Sequence, residues 1–185
     1  MSRVYGQLGI VPVINAPGEA TRLGDLSLSK GDWNAIRRTL SVSVRRDEFA
    51  SAAGLHIAQR PRVPAAYVTS GASAALALAA AICVAGEDRS AIDALPDTGV
   101  LPLQVVIQSA QMDPHDRAIT SVGVGLTGVG YRTCCMAFEP RNAPFDRCAA
   151  ALFRPGEPGD LLSLGRVAAI AHERSLLVAS RSGTR

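Results

Sequence analysis

The stretch that decides the fold reads Ala65-Ala66-Tyr67-Val68-Thr69-Ser70-Gly71-Ala72-Ser73 and continues as Ala74-Ala75-Leu76-Ala77-Leu78-Ala79-Ala80-Ala81-Ile82. β-Branched and aromatic residues favour a strand, a Ser-Gly pair favours a tight turn, and a long alanine-rich run favours a helix. The stretch therefore predicts a strand, a turn and a helix in succession.

The predicted turn has the properties of an anion site. The first turn of a helix leaves backbone N–H groups unpaired and carries the positive end of the helix dipole. Gly71 would let a ligand come close to the main chain, and Thr69, Ser70 and Ser73 add hydroxyl groups. We therefore define residues 69–73 (Thr69, Ser70, Gly71, Ala72, Ser73) as the candidate phosphate site. The simpler alternative is that Ser70 or Ser73 only caps the helix.

The size and composition of the chain indicate one α/β domain with a buried core. The chain has 185 residues, of which 48% are hydrophobic, and this is too short for two full domains. The net charge of +3 is mild, and only 4% of the residues are aromatic. Both values argue against nucleic-acid binding as the main task.

The cysteines and histidines do not suggest a metal site. The three histidines are scattered, and no C-x-x-C spacing links the four cysteines, Cys83, Cys134, Cys135 and Cys148. No signal peptide is visible, so we expect a cytoplasmic protein with free, mostly buried thiols. The apolar helix of residues 74–85 is far shorter than the roughly 20 residues that cross a bilayer, so no membrane partner is expected.

The rest of the chain alternates helices with strands. An extended N-terminal arm precedes two early helices, over residues 31–40 with Ser29 or Ser27 as cap and over residues 46–59. Later strands are predicted at residues 103–108, 122–130, 148–153 and 176–179, and a helix capped by Asp160 over residues 161–174. This alternation predicts a mostly parallel sheet with helices on both faces.

Several short motifs in a fixed order resemble the selenocysteine-synthase-like family of pyridoxal-phosphate enzymes, which have fold type I. They are Ile14-Asn15-Ala16-Pro17-Gly18 with Thr21-Arg22-Leu23-Gly24, then residues 66–72, then Leu95-Pro96-Asp97-Thr98 and Val105-Val106-Ile107-Gln108. The family contains L-seryl-tRNA(Sec) selenium transferase and relatives that look like D-glucosaminate-6-phosphate ammonia lyases. The resemblance runs from about Tyr5 to Val178, and the ordered set is specific although no single motif is.

This resemblance implies an α/β fold with two parts. Residues 1–60 would form the N-terminal arm and helices, and residues 61–185 an incomplete fold type I large domain that binds pyridoxal phosphate. The candidate phosphate site would hold the phosphate of that cofactor. The resemblance also implies a phosphorylated small molecule or an aminoacyl-tRNA as substrate, and a homo-oligomer or an association with a full-length relative.

The chain departs from the family at three functional positions. Fold type I chemistry needs a Schiff-base lysine, an acidic residue at the pyridine nitrogen and a ring that packs on the cofactor. Lys30 is the only lysine and lies upstream of the candidate phosphate site, and Arg181 stands where the family has the acidic residue. A His-Arg-Asn-x-Tyr-Asp-like stretch of the relatives reads Gln111-Met112-Asp113-Pro114-His115-Asp116 here, and only Asp116 matches cleanly. Covalent attachment of the cofactor is therefore not expected.

Two functions from different classes remain open at this point. The chain is either a truncated transferase or lyase that has no catalytic residue of its own and no activity alone, or a non-catalytic module derived from that family. Such a module would bind a phosphorylated ligand or pair with a full-length relative through the arm and the two early helices. A Rossmann-like nucleotide binder is the weakest alternative, because no G-x-G-x-x-G motif follows a strand.

Overall fold

The fold was analysed in a computed structural model of the chain, which describes residues 3–16, 28–99, 104–143, 145–155 and 160–180. The described residues fall into two compact units, one ending at Tyr67 and one beginning at Val68. The division into domains at residue 60 stays a prediction. The motif of residues 21–24 and the position of Arg181 lie outside the described residues.

The first unit consists of short helices and extended chain. It contains α1 (Arg3–Gln7), α2 (Lys30–Thr39) and α3 (Arg46–Gln59). Ser29 begins α2 with a capping box, in which its hydroxyl accepts the Asp32 N–H at 3.2 Å and the Asp32 carboxylate accepts the Ser29 N–H at 3.0 Å. The two predicted early helices are thus confirmed, with Ser29 rather than Ser27 as the cap of the first.

The second unit is built on a four-stranded parallel sheet. Its strands are β1 (Gln104–Gln108), β2 (Gly125–Val129), β3 (Cys148–Phe153) and β4 (Leu177–Ser180), in the spatial order β2-β1-β3-β4. The helices are α4 (Ala72–Ala85), α5 (Arg89–Ala94), α6 (Arg117–Thr120), α7 (Phe138–Asn142) and α8 (Leu164–Glu173). Short 3₁₀ helices, Ser109–Gln111 and Pro114–Asp116, follow β1.

Each face of the sheet carries its own apolar core, because successive side chains of a strand point to opposite faces. Val105 and Ile107 of β1 pack with Leu76, Ala80 and other residues of α4 on one face. On the opposite face, Val106 joins a second core that includes Ala171 of α8. A parallel sheet covered by helices on both faces confirms the predicted α/β class.

Two local predictions were wrong. Residues 65–69 form no strand, and within the first unit Ala66 lies against α3 instead: a Cβ on Gly54 would stand only 2.3 Å from the Ala66 carbonyl oxygen. Asp160 does not cap the helix near it, since α8 begins later and Ser163 accepts the Arg166 N–H as its cap. The main chain of Asp160 instead pairs with Thr133 and Cys135.

Among the helices that the structure describes, none has both the length and the apolar character needed to cross a membrane.

Candidate functional site

The candidate phosphate site lies at the start of α4. Alanine and leucine fill this helix and favour it intrinsically, and the N-cap residue is Gly71, which has no side chain to bind the first-turn N–H groups. Neither Ser70 nor Ser73 is the N-cap residue, so the alternative that one of these serines only caps the helix does not hold. The first N–H groups of α4 therefore stay available to a ligand.

The turn before α4 has a conformation that only glycine adopts readily. Gly71 has φ 154° and ψ 176°, and a Cβ at this position would meet no heavy atom within 4 Å. The Thr69 hydroxyl donates to the Gly71 carbonyl oxygen at 3.0 Å and so holds the turn from within. Ser70 and Ser73 are exposed. The site is thus an open cradle of main-chain donors, with two hydroxyls free to face solvent.

The start of α4 lies at the carboxyl edge of the sheet. The segment after α4 is tied to the amino edge, because the Thr98 hydroxyl donates to the Gly123 carbonyl just before β2, at 3.3 Å, and Arg147 donates to the Gly99 carbonyl, at 3.2 Å. The helix therefore runs antiparallel to the strands. It also packs against the 3₁₀ helix Pro114–Asp116, which follows β1. Open α/β sheets bind their ligands at this edge.

A buried polar cluster joins two strand ends at the same edge. After β1, the Gln111 side chain donates to the Arg154 carbonyl oxygen at 2.6 Å and accepts the Arg154 N–H at 3.2 Å. After β3, the Arg154 guanidinium donates to the Gln111 carbonyl oxygen and to both carboxylate oxygens of Asp116. Asp113 forms a further ion pair with Arg154 at 3.4 Å.

Burial makes this cluster a structural unit. Gln111, Arg154 and Asp116 are only 2%, 4% and 6% exposed, so the charges must satisfy one another. The buried Nε of Arg154 has no hydrogen-bond partner among the described residues. The sequence patterns described above did not identify Arg154. A charged residue placed directly after a buried apolar strand was the signal that could have identified it.

The cluster also explains the role of Gln111, which stands where the relatives were expected to have a histidine. Both ends of its amide group are bound to the main chain of Arg154, and the side chain is buried. The Gln111 side chain therefore joins the end of β1 to the end of β3. It does not offer a ring or a free polar group to a ligand.

The thiols do not add a nucleophile to the site. All four cysteines are free, and only Cys135 is fully buried. Burial raises the pKa of the Cys135 thiol to about 11, with the Glu139 carboxylate and Cys134 contributing. Burial likewise raises the pKa of Cys83 and of Cys148. Nucleophilic cysteines need the opposite shift. Within the described ranges, no three His, Cys, Asp or Glu side chains come together as a metal site.

The fold and the site define a class: a parallel α/β unit in which an uncapped helix starts at the carboxyl edge of the sheet. No family model matches the chain. The chain is 33% identical over 124 residues to a 5'-C-glycyluridine monooxygenase-decarboxylase of Streptomyces sp.. This alignment covers 67% of the present chain and 31% of the relative. Over 154 residues it is 28% identical to a D-glucosaminate-6-phosphate ammonia lyase of Salmonella typhimurium (strain 14028s / SGSC 2262), covering 81% of this chain and 42% of the relative.

The comparison with solved structures agrees with these relatives. A structure of D-glucosaminate-6-phosphate ammonia-lyase matches with a TM-score of 0.91 and 26% identity, over 100% of this chain and 52% of that protein. The predicted resemblance is confirmed: in sequence and in fold the chain is similar to D-glucosaminate-6-phosphate ammonia lyase, one of the relatives that the sequence motifs indicated. It spans about a third to a half of the length of the relatives it matches.

Proposed function

We propose that this chain binds pyridoxal phosphate through the phosphate group, at the candidate phosphate site. The observation that carries the proposal is the uncapped start of α4 behind Gly71, at the sheet edge where α/β proteins bind ligands. The similarity to D-glucosaminate-6-phosphate ammonia lyase supports it. When bound, pyridoxal phosphate supplies an electron sink for bonds at the α-carbon of an amino substrate.

The residues of the site fit a phosphate group. In our proposal the N–H groups of Ala72 and Ser73 donate to the phosphate oxygens, and the helix dipole favours its negative charge. The hydroxyls of Ser70 and Ser73 add donors. Thr69 keeps the turn in place through its bond to the Gly71 carbonyl. A phosphate needs no side chain at position 71, since a Cβ there would project into the open space that the ligand would use.

The same chain does not fit the covalent part of the family's chemistry. Lys30 is its only lysine and is the first residue of α2, in the first unit. An arginine cannot take the role, because its guanidinium stays charged and is a poor nucleophile. We therefore propose that the 185-residue chain alone holds the cofactor without a covalent bond and has neither lyase nor transferase activity.

A second candidate function is a non-catalytic module of the same descent. The structural role of Gln111 favours this second function, because both ends of its amide are used in hydrogen bonds to Arg154. The chain then has a candidate phosphate site without the groups that act on a substrate. Such a module would bind a small phosphorylated ligand, in line with the phosphorylated sugar in the name of the lyase relative. In either case we propose that the chain self-associates.

Calorimetry on matched glycine variants tests the site. Gly71 and Gly86 flank the two ends of α4, both have positive φ, and a Cβ on either would meet no atom within 4 Å. Gly71→Val should weaken binding of pyridoxal phosphate and of inorganic phosphate at least tenfold, whereas Gly86→Val should leave both affinities unchanged. Pyridoxal, which lacks the phosphate, should bind all three proteins equally weakly.

Equal affinity of pyridoxal phosphate for the wild type and for a folded Gly71→Val protein would refute the site. Circular dichroism establishes that each variant is folded. If Gly71→Val does not fold, Gly71→Ala against Gly86→Ala makes the same comparison with a smaller side chain. Binding of inorganic phosphate together with no preference for pyridoxal phosphate would support the module over the cofactor-binding function.

A further inference from the structure

The carboxyl edge of the sheet has a topological switch point between β1 and β3. In the strand order β2-β1-β3-β4, the chain leaves β1 towards β2 on one side and returns to β3 on the other. The connection after β1 lies on the face of α4, because Ile119 of α6 belongs to the core of that face, whereas α8 follows β3 on the opposite face. Connections that diverge in this way leave a crevice between the two strand ends, and open α/β sheets bind ligands there.

The start of α4 borders this crevice on one face of the sheet. Leu76 packs in one core with Ile107 of β1 and Leu152 of β3, which are register partners in the sheet. Because α4 runs antiparallel to the strands and rises about 1.5 Å per residue, Ala72 lies about 6 Å further towards the carboxyl edge. A phosphate group at the candidate phosphate site would therefore leave the rest of its ligand above the ends of β1 and β3.

Gln108, the last residue of β1, fixes the border of the crevice on the other face. It follows Val106 by two positions, so its side chain points to the face of α8. The Gln108 amide donates to the Leu162 carbonyl oxygen at 3.1 Å and accepts the Leu162 N–H at 2.8 Å. Gln108 is only 3% exposed, so water does not compete for these two hydrogen bonds.

Residues 160–162 are anchored at both ends. Leu162 binds Gln108 at the end of β1, and the main chain of Asp160 pairs with Thr133 and Cys135, which follow β2. The segment therefore runs along the carboxyl edge beside the crevice. Removal of the Gln108 amide would leave the N–H and the carbonyl group of Leu162 without these partners, and unpaired main-chain groups shift towards water.

We infer that Gln108 is a positioning residue for the part of the ligand beyond its phosphate group. It holds residues 160–162 as a wall that faces the start of α4 across the crevice, where the ring of pyridoxal phosphate would lie. This inference deepens the proposed function and rests on it. It separates two contributions to affinity: the start of α4 binds the phosphate group, and Gln108 acts only on the binding of the ring.

Calorimetry of the full chain with two ligands tests this separation. In Gln108→Met a side chain of similar size lacks the amide, and the dissociation constant of pyridoxal phosphate should rise about tenfold, as expected for the loss of one or two buried hydrogen bonds. The dissociation constant of inorganic phosphate should stay unchanged, because that ligand reaches only the start of α4. Gly71→Val, in contrast, should weaken the binding of both ligands.

Gln104→Met is the matched control on the same strand. Gln104 begins β1, at the amino edge, where its side-chain oxygen accepts a hydrogen bond from the Thr127 hydroxyl. This variant should bind both ligands as the wild type does. Hydrogen exchange without ligand should be faster at the Leu162 amide in Gln108→Met and unchanged there in Gln104→Met. If Gln108→Met does not fold, Gln108→Asn makes the same test, because its side chain is one methylene too short to reach Leu162.

The possible outcomes separate this inference from the proposed function. A wild type that binds neither ligand overturns both. Wild-type affinity for pyridoxal phosphate in a folded Gln108 variant overturns only the positioning role, and so does an equal loss of affinity for both ligands. A similar loss in Gln104→Met also overturns it, because the effect would then follow from general stability. Equal affinity of the wild type for both ligands does the same, since the ring would then contribute nothing to binding.

Discussion

Gln111 and Arg154 each bind the main chain of the other with their side chain. The Gln111 amide pairs with the N–H and the carbonyl oxygen of Arg154, and the Arg154 guanidinium donates to the Gln111 carbonyl oxygen. The two residues are 43 positions apart and follow β1 and β3. This reciprocal pair ties together two strand ends at the carboxyl edge of the sheet, where α4 begins.

Removing Arg154 should destabilise the fold strongly. Arg154→Met leaves the Asp116 carboxylate, which is 6% exposed, without its cation. Loss of one partner of a buried ion pair costs about 3–5 kcal/mol, whereas replacing both partners with apolar residues costs much less. Chemical denaturation should therefore show a large loss for Arg154→Met and a smaller loss for Arg154→Met/Asp116→Leu.

Arg89→Met is the control for this comparison. Arg89 pairs with Asp93 at 3.4 Å, and both side chains are largely exposed, so the stability should change little. A stability loss in Arg154→Met no greater than that in Arg89→Met would show that the buried cluster does not hold the strand ends.

Gly123→Ala should be far more harmful than Gly86→Ala. Both glycines have positive φ, at 83° and 56°, and an alanine in this region costs about 1–2 kcal/mol. A Cβ on Gly123 would in addition stand 1.8 Å from the Pro96 carbonyl oxygen, whereas one on Gly86 would meet nothing within 4 Å. We expect overpacking to add about 1–3 kcal/mol to the loss at Gly123. Thermal unfolding that ranks the two variants equally would contradict the close approach of these two backbone segments.

The Cys135 thiol should make the protein less stable at alkaline pH. Its pKa is raised from 9.0 to about 11 in the folded protein, so between these values the folded state holds a proton that the unfolded state has released. Stability from this group is complete below pH 9 and is lost as the pH rises towards 11. The denaturation midpoint of Cys135→Ala should fall less steeply over this range than that of the wild type. Identical slopes would remove Cys135 as the cause.

Lys30 should not bind pyridoxal phosphate covalently. Lys30 is exposed at the start of α2, which belongs to the first unit, whereas the candidate phosphate site belongs to the second. Borohydride reduction followed by mass spectrometry should give equal, substoichiometric labelling in the wild type and in Lys30→Arg. One equivalent of adduct on Lys30, absent from Lys30→Arg, would show that the chain carries its own amine for the cofactor.

Much of the fold could be predicted from local patterns. The apolar β3 run of residues 148–153 and the alanine-rich α4 have the periodicity and composition of their elements, and α3 has the predicted bounds of residues 46–59. Ser29 and Asp32 form a capping box because the groups involved are only three residues apart. Such interactions are local, so the amino-acid sequence by itself determines them.

The rest was decided by contacts between distant parts of the chain. Asp160 has the right residue type for a helix cap, but its main chain pairs with Thr133 and Cys135, and Ser163 caps α8 instead. The buried cluster joins Gln111 to Arg154 across 43 positions. Hydrogen bonds of this kind form only when the sheet has aligned its strands, because the free energy of burying a polar group depends on the partner that the tertiary structure supplies. The sequence by itself determined the alanine-rich α4 and the glycine before it, and only the tertiary structure decided that Gln111 and Arg154 would hold the edge of the sheet.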